Sequence, residues 1–249
     1  MPDLAWNGAF WNGLYDWNTG GEEWSKYWGG SEAQWFGSIY PRLHRFLPAK
    51  SVLEIAPGFG RWTKFLIPAS SSYIGVDLSQ ECIDACGRIF TEGSISTPVS
   101  FMKNDGLSLT NVQEASCDII FSFDSLVHCD MEIIQSYIPE ILRVLKPGGV
   151  AFIHHSNLLA FGNSIGQPHA RSLTVSADTV ASSIEGAGGS TLIQEVINWG
   201  GEHMHDCLTL FGRYRVGTEL VRIENPQFMV EALSIRDFQA PWSRQASRS

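Results

Sequence analysis

The chain has 249 residues, 44 % hydrophobic and 17 % charged, with a formal net charge of −9 and a pI near 5.2. That length fits one α/β domain with an elaboration, large enough to bury a substantial core. The acidic balance argues against a nucleic-acid partner, whose phosphates call for a basic face, and no run of about 18 apolar residues offers a membrane span.

The opening, MPDLAWNGAFWNG, lacks the basic-then-apolar order of a signal peptide. Cysteines stand at 82, 86, 117, 129 and 207, and Cys82-x-x-x-Cys86 has no matching second pair. The expectation is reduced, packed thiols in a cytoplasmic protein, with neither a disulfide framework nor a zinc site.

Residues 1–48 read as a Trp-rich cap. Trp6, Trp11, Trp17, Trp24, Trp28 and Trp35 are interleaved with Asn, Gly and acids, without a clean period. Trp35, Ile39, Leu43 and Phe46 share a helical face that Pro41 interrupts. Such a cap could close over a ligand, or its rings could simply pack the segment onto the domain.

From Ser51 strands and helices alternate. Strands are expected at 51–56, 72–78, 99–104, 117–123 and 149–154, with helices near 61–67, 80–90 and 131–145. This order predicts a parallel sheet with helices on both faces. Lys146-Pro147-Gly148-Gly149 ends the third of these helices ahead of a buried strand. A helix at 175–187 and strands at 191–199 and 206–212 follow, the two strands forming a hairpin. The domain is expected to span 49–215, and the polar tail of 216–249 to have no core role.

The most informative stretch is Ser51–Thr63, SVLEIAPGFGRWT, followed by SYIGVDLS. A strand ends in the turn Pro57-Gly58-Phe59-Gly60, and a second strand closes on Asp77, seventeen residues after Gly60. Glycines let a backbone approach a nucleoside closely, and an acid at the end of the second strand can bind ribose hydroxyls. Bulk stands where a dinucleotide fingerprint needs its third glycine. Glu54, inside the first strand, suits a ligand with an amino group and a sulfonium cation better than a pyrophosphate.

Ligands of parallel α/β sheets sit beyond the carboxyl ends of the strands. That rule selects Ala56, Gly58, Gly60, Asp77 with Leu78, Asp105 with Gly106, and Phe123 as donor-binding candidates. Asp105 could accept from an adenine amino group or merely cap a helix. His154 and His155 end the fifth strand on opposite faces, so one should face the donor. An imidazole suits proton removal from an attacking hydroxyl. His155 is the first candidate base, His154 the second and His128 the rival. Asp124 could hold the acceptor oxygen directly or, with Asp206, through Mg²⁺.

EIAPGFGRWTKFL, GVDLSQECIDAC, KNDGLSL, DIIFSFDSLVHCDMEII, LKPGGVAFIHHSN and INWGGEHMHDCLTLF together resemble class I S-adenosylmethionine-dependent methyltransferases. Among these the chain is similar to bacterial sugar and polysaccharide O-methyltransferases, of the mycobacterial 3-O-methylmannose polysaccharide 1-O-methyltransferase type. Ala56-Pro57 replaces the commoner first glycine of their motif. The resemblance implies S-adenosylmethionine as donor and a sugar or oligosaccharide hydroxyl as acceptor. It also implies a Rossmann-like seven-stranded sheet ending in an antiparallel hairpin, and leaves Mg²⁺ dependence and a homodimer open. A natural-product O-methyltransferase is the nearest alternative. A nicotinamide-dependent oxidoreductase would need a hydride-site pair such as Tyr-x-x-x-Lys, and no tyrosine here has a lysine four residues on. A non-catalytic binding module would not need the histidines at 128, 154 and 155.

Overall fold

The computed structural model describes residues 3–91, 97–162, 164–214, 217 and 219–239. Its centre is one mixed sheet of β1 (Ala49–Ile55), β2 (Ser70–Asp77), β3 (Val99–Lys103), β4 (Cys117–Ser122), β5 (Leu145–Ser156), β6 (Gly189–Ile197), β7 (Asp206–Arg213) and β8 (Val221–Asn225). The order across the sheet is β3-β2-β1-β4-β5-β7-β6-β8. β7 runs antiparallel between β5 and β6, so the expected hairpin is present, while β8 adds an eighth strand parallel to β6.

The central strands are apolar on both sides, as strands covered by helices must be. Their period of two deals side chains to two cores. Val52, Ile119, Phe121, Phe152, Leu208 and Leu210 join one, with Ile39, Leu43 and Leu66. Leu53, Ile55, Ile120, Ala151, Ile153 and Phe211 join the other, against Ile133, Ile134, Ile138 and Ile141 of the helix Met131–Val144. Those four isoleucines recur at helical spacing, which is why that helix lies flat on the sheet.

The tail differs from expectation. Phe228, Met229 and Ala232 of the helix Phe228–Ser234 are buried, and Arg42 forms ion pairs with both Glu195 of β6 and Glu231 of that helix. The sequence conceals this because β8 is a short edge strand whose Val221 and Ile223 stay exposed, and the helix is only seven residues long.

Candidate active site

The carboxyl ends of β1, β2 and β4 open onto a cleft enclosing about 870 Å³, partly open to solvent. Its floor is the turn after β1. Ala56 takes φ +58, Gly58 φ +58 and Gly60 φ +88, and a Cβ on Gly60 would lie 2.2 Å from the Phe90 ring. Left-handed backbone costs a non-glycine residue about 1 kcal/mol, so Ala56 must be held by its surroundings. The Val76 carbonyl accepts its N–H at 2.7 Å, and its carbonyl accepts from the Ser125 hydroxyl at 3.1 Å.

Asp77 reaches back to this turn. Its Oδ2 accepts from the Gly58 N–H at 3.1 Å, and its Oδ1 from the Ser79 N–H at 2.8 Å. Burial pushes its carboxyl up to about 6, against the lowering effect of those two N–H groups. Leu78, Asn104, Gly106, Phe123 and Asp124 also line the cleft. Glu54 does not. It lies beneath the turn, accepting from the hydroxyls of Thr63 and Tyr73, and burial pushes it up to about 7.

Asp105 also turns away from the cleft, into a neighbouring depression, and this corrects its expected adenine contact. Its carboxylate accepts from the N–H groups of Leu107 and Ser108 at 2.8 and 2.7 Å, so it closes the loop after β3. Although burial opposes it, those bonds together hold it below the usual carboxylate range. Asn104, one residue earlier, takes the place on the wall.

At the other end of the cleft Arg61 meets Asp124, and a second arginine–aspartate pair is buried next to it. Arg61 Nη2 lies 2.7 Å from Asp124 Oδ2, and its guanidinium stacks between the rings of Trp24 and Trp62. Arg171 Nε donates to both oxygens of Asp206, at 2.6 and 2.9 Å, with the guanidinium over Trp199. Although burial opposes it, Arg171, with His154, holds Asp206 far below the usual carboxylate range. Sequence reasoning missed both arginines, because each is defined by partners distant along the chain.

The histidines are not free bases in this arrangement. His155 is fully buried on the face away from the cleft. Its Nδ1 donates to the Ser156 carbonyl and its Nε2 accepts from the Thr209 hydroxyl, at 2.8 and 2.7 Å. Burial lowers it to about 4. His154, equally buried, accepts from the Asp124 N–H at Nδ1 and contacts Asp206 through Nε2. His128 donates from Nδ1 to the Ala170 carbonyl and packs against Trp11. Burial, then Arg171, lowers it to about 4.

The Mg²⁺ expectation does not fit these residues either. Asp124 and Asp206 each already face a guanidinium, which would repel a divalent ion, and His154 occupies the remaining edge of Asp206. No group of three potential ligands gathers among the described residues.

The N-terminal segment forms the opposite wall. Leu4, Asn7, Trp11, Trp17 and Trp24 line the cleft, with Trp17 stacked 4.7 Å over Phe59. Asn7 donates to the His128 carbonyl, Ser79 donates to Asn12, and Arg61 donates to Ser25, tying the segment to the rim.

Comparison with known proteins agrees with this geometry. Residues 52–149 match the family described as a methyltransferase domain. Phosphoethanolamine N-methyltransferase 1 of wheat (Triticum aestivum) is 32% identical over 128 residues, covering 50% of this chain and 25% of that protein. The probable S-adenosylmethionine-dependent methyltransferase CRG1 of Saccharomyces cerevisiae is 24% identical over 94 residues, 38% of this chain and 32% of that one. The chain thus spans only a quarter to a third of the length of these curated relatives. A solved S-adenosylmethionine-dependent methyltransferase from Clostridium acetobutylicum superposes with a TM-score of 0.60 at 16% identity, covering 73% of this chain and 92% of that one. The PH0226 protein from Pyrococcus horikoshii gives 0.59 at 16% identity, covering 82% and 95%.

Residues 52–149 therefore match a methyltransferase domain, and the chain shares the Rossmann-like fold of a solved S-adenosylmethionine-dependent methyltransferase. The donor this implies is S-adenosylmethionine, and the residues fit it. The left-handed turn presents backbone rather than side chains, and Asp77 presents a carboxylate at the end of β2.

Proposed function

We propose that this chain transfers a methyl group from S-adenosylmethionine to a hydroxyl of a sugar or oligosaccharide. The observation that carries the acceptor half is the indole wall: Trp11, Trp17 and Trp24 line the cleft together with the glycine turn and Asp124. Flat indoles suit the apolar C–H faces of sugar rings and leave the ring edges for hydroxyls.

S-adenosylmethionine, when bound, supplies an electrophilic methyl group on a sulfonium. Asp77 would bind the ribose hydroxyls, exchanging its bond to the Gly58 N–H for stronger ones to ligand. Asp124 would accept a hydrogen bond from the attacking hydroxyl. In support, Arg61 occupies its Oδ2, while the charged partner of Oδ1 among the described residues is Arg171, at 3.9 Å. As the new O–C bond formed, the sulfonium S–CH₃ bond would break to leave S-adenosylhomocysteine, and the hydroxyl proton would pass to Asp124. Arg61 and the N-terminal wall would screen one side of the developing bond from bulk water.

A second reading is N-methylation of a cationic amine. It is favoured by the name of the wheat relative and by the aromatic wall, since such rings also attract ammonium groups. Incubation with methyl-labelled donor and a panel of neutral sugars, oligosaccharides and phosphoethanolamine separates the two. A methyl gain on a sugar supports the first reading. Exclusive labelling of the amine would replace it with the second.

A further inference from the structure

We infer that Arg171 and Asp206 are positioning residues, acting through the tautomer of His154 to fix the backbone of Asp124. The role given to Asp124 rests on the proposed function, but the geometry of the relay does not.

Asp124 sits at φ +62, a left-handed conformation that an L side chain adopts only when its surroundings impose it. One restraint is the hydrogen bond from its N–H to His154 Nδ1, at 3.2 Å. A backbone N–H can only donate, so Nδ1 must be the acceptor and carry no proton. The ring proton is then on Nε2, which faces Asp206 Oδ2 at 3.1 Å. Asp206 can only accept, which matches. Both of its oxygens also accept from Arg171 Nε, at 2.6 and 2.9 Å. The relay therefore has one proton arrangement, read in the order Arg171, Asp206, His154, Asp124 N–H.

The burial of the relay favours a role in orientation. Arg171, Asp206 and His154 are all nearly or wholly buried, with exposures of 2, 0 and 0 %. Arg171 Nη2 makes no hydrogen bond among the described residues. Buried charges arranged this way are costly, and apolar packing of the same volume would often be at least as stable. What apolar packing could not do is choose between the two tautomers of His154. Trp199 and Phe123 flank the imidazole, with ring centroids 5.1 and 4.7 Å away, so the ring is held in place while Asp206 sets its proton.

The test is Asp206→Asn. The new amide can keep its oxygen toward Arg171, and its NH₂ then faces His154 Nε2. That reverses the tautomer, turns an Nδ1–H against the Asp124 N–H and releases the backbone. Long-range proton–nitrogen NMR of labelled wild type should show His154 protonated at Nε2 only, and the variant should show Nδ1. kcat should fall about 10²-fold, the usual effect of a misplaced reacting group, while the affinity for S-adenosylhomocysteine stays within about twofold. His154→Asn puts an amide oxygen at the Nδ1 position whatever Asp206 does. It should keep most of the turnover that His154→Leu loses, and Asp206→Asn should cost little in that background.

An Nδ1-protonated wild type would overturn the relay, whatever the acceptor proves to be. So would a full Asp206→Asn penalty in the His154→Asn background. Should Asp206→Asn fail to fold, equal losses in His154→Asn and His154→Leu would overturn it as well. The tautomer is read without turnover, so a wild type that methylates no sugar would sink the acceptor assignment and leave the relay standing.

Discussion

Glu54 and Asp77 are buried carboxyls one strand apart, and both are pushed up by burial, to about 7 and about 6. For Glu54 the sign follows directly. Its folded value lies above the ordinary 4.5, so the folded state holds a proton that the unfolded chain releases between those values. Wild type should gain stability relative to Glu54→Gln as pH falls from about 8 to 5, since the amide oxygen can still accept from Thr63 and Tyr73. Urea denaturation of the ligand-free protein should show the variant more stable by about 2–3 kcal/mol at the upper end and level with wild type at the lower. A constant difference across that range would mean that Glu54 is not the titrating group. Asp77→Ala should weaken S-adenosylhomocysteine by about 2 kcal/mol or more, because ligand hydroxyls lose a buried charged partner. Asp105→Ala should leave that affinity unchanged, since the carboxylate caps its own loop outside the cleft. Calorimetry on the pair decides whether the ribose contact and the missing adenine contact are both assigned correctly.

At the scale of elements, what was legible in the sequence was what local spacing determines. The turn after β1, Asp77 at the end of β2 and the helix Met131–Val144 all follow from residues a few positions apart. Strand alternation also separates His154 from His155. It cannot reveal that Asp206 and Thr209, more than fifty residues on in β7, occupy their Nε2 atoms, so the sequence does not show that both rings are already engaged. Arg61 was visible beside the turn, but its partner Asp124 was not linked to it by any pattern. The Trp-rich segment was legible as a candidate wall, though not which rings face inward. Of these, Trp24 lines the cleft over Arg61, whereas Trp17 packs on the turn itself, where a Cβ on Gly58 would come within 3.0 Å of it. Trp24→Ala should therefore raise acceptor KM by about tenfold while leaving donor affinity within about twofold, as loss of one stacking face costs on the order of 1.4 kcal/mol. Trp17→Ala should weaken both ligands. If Trp24→Ala instead weakens the donor alone, the ring is packing the donor site and not the acceptor.

Across the whole molecule, the C-terminal segment closes the structure behind the cleft. Phe228 is fully buried and meets Phe123 and Trp199 at 6.2 and 6.5 Å between centroids, with the Arg42 guanidinium 4.8 Å from its ring. Phe123 in turn lines the cleft and touches His154, so one ring separates the tail from the reaction end. The approach of the segments is close. A Cβ on Gly37 would lie 2.8 Å from the Ala232 Cα, so the helical stretch after Ser31 can meet the helix Phe228–Ser234 only with glycine there. Phe228→Ala removes a whole ring from this contact and should destabilise the protein by about 3–5 kcal/mol, the range for a buried phenylalanine. Gly37→Ala should also destabilise it, by overpacking rather than by a void, at about 1–3 kcal/mol. Denaturant titration gives both numbers, and an unchanged m-value would show that the whole sheet still unfolds as one unit. A Phe228→Ala loss below about 1 kcal/mol would mean that the tail rests on the surface and supports neither the core nor the Phe123 wall.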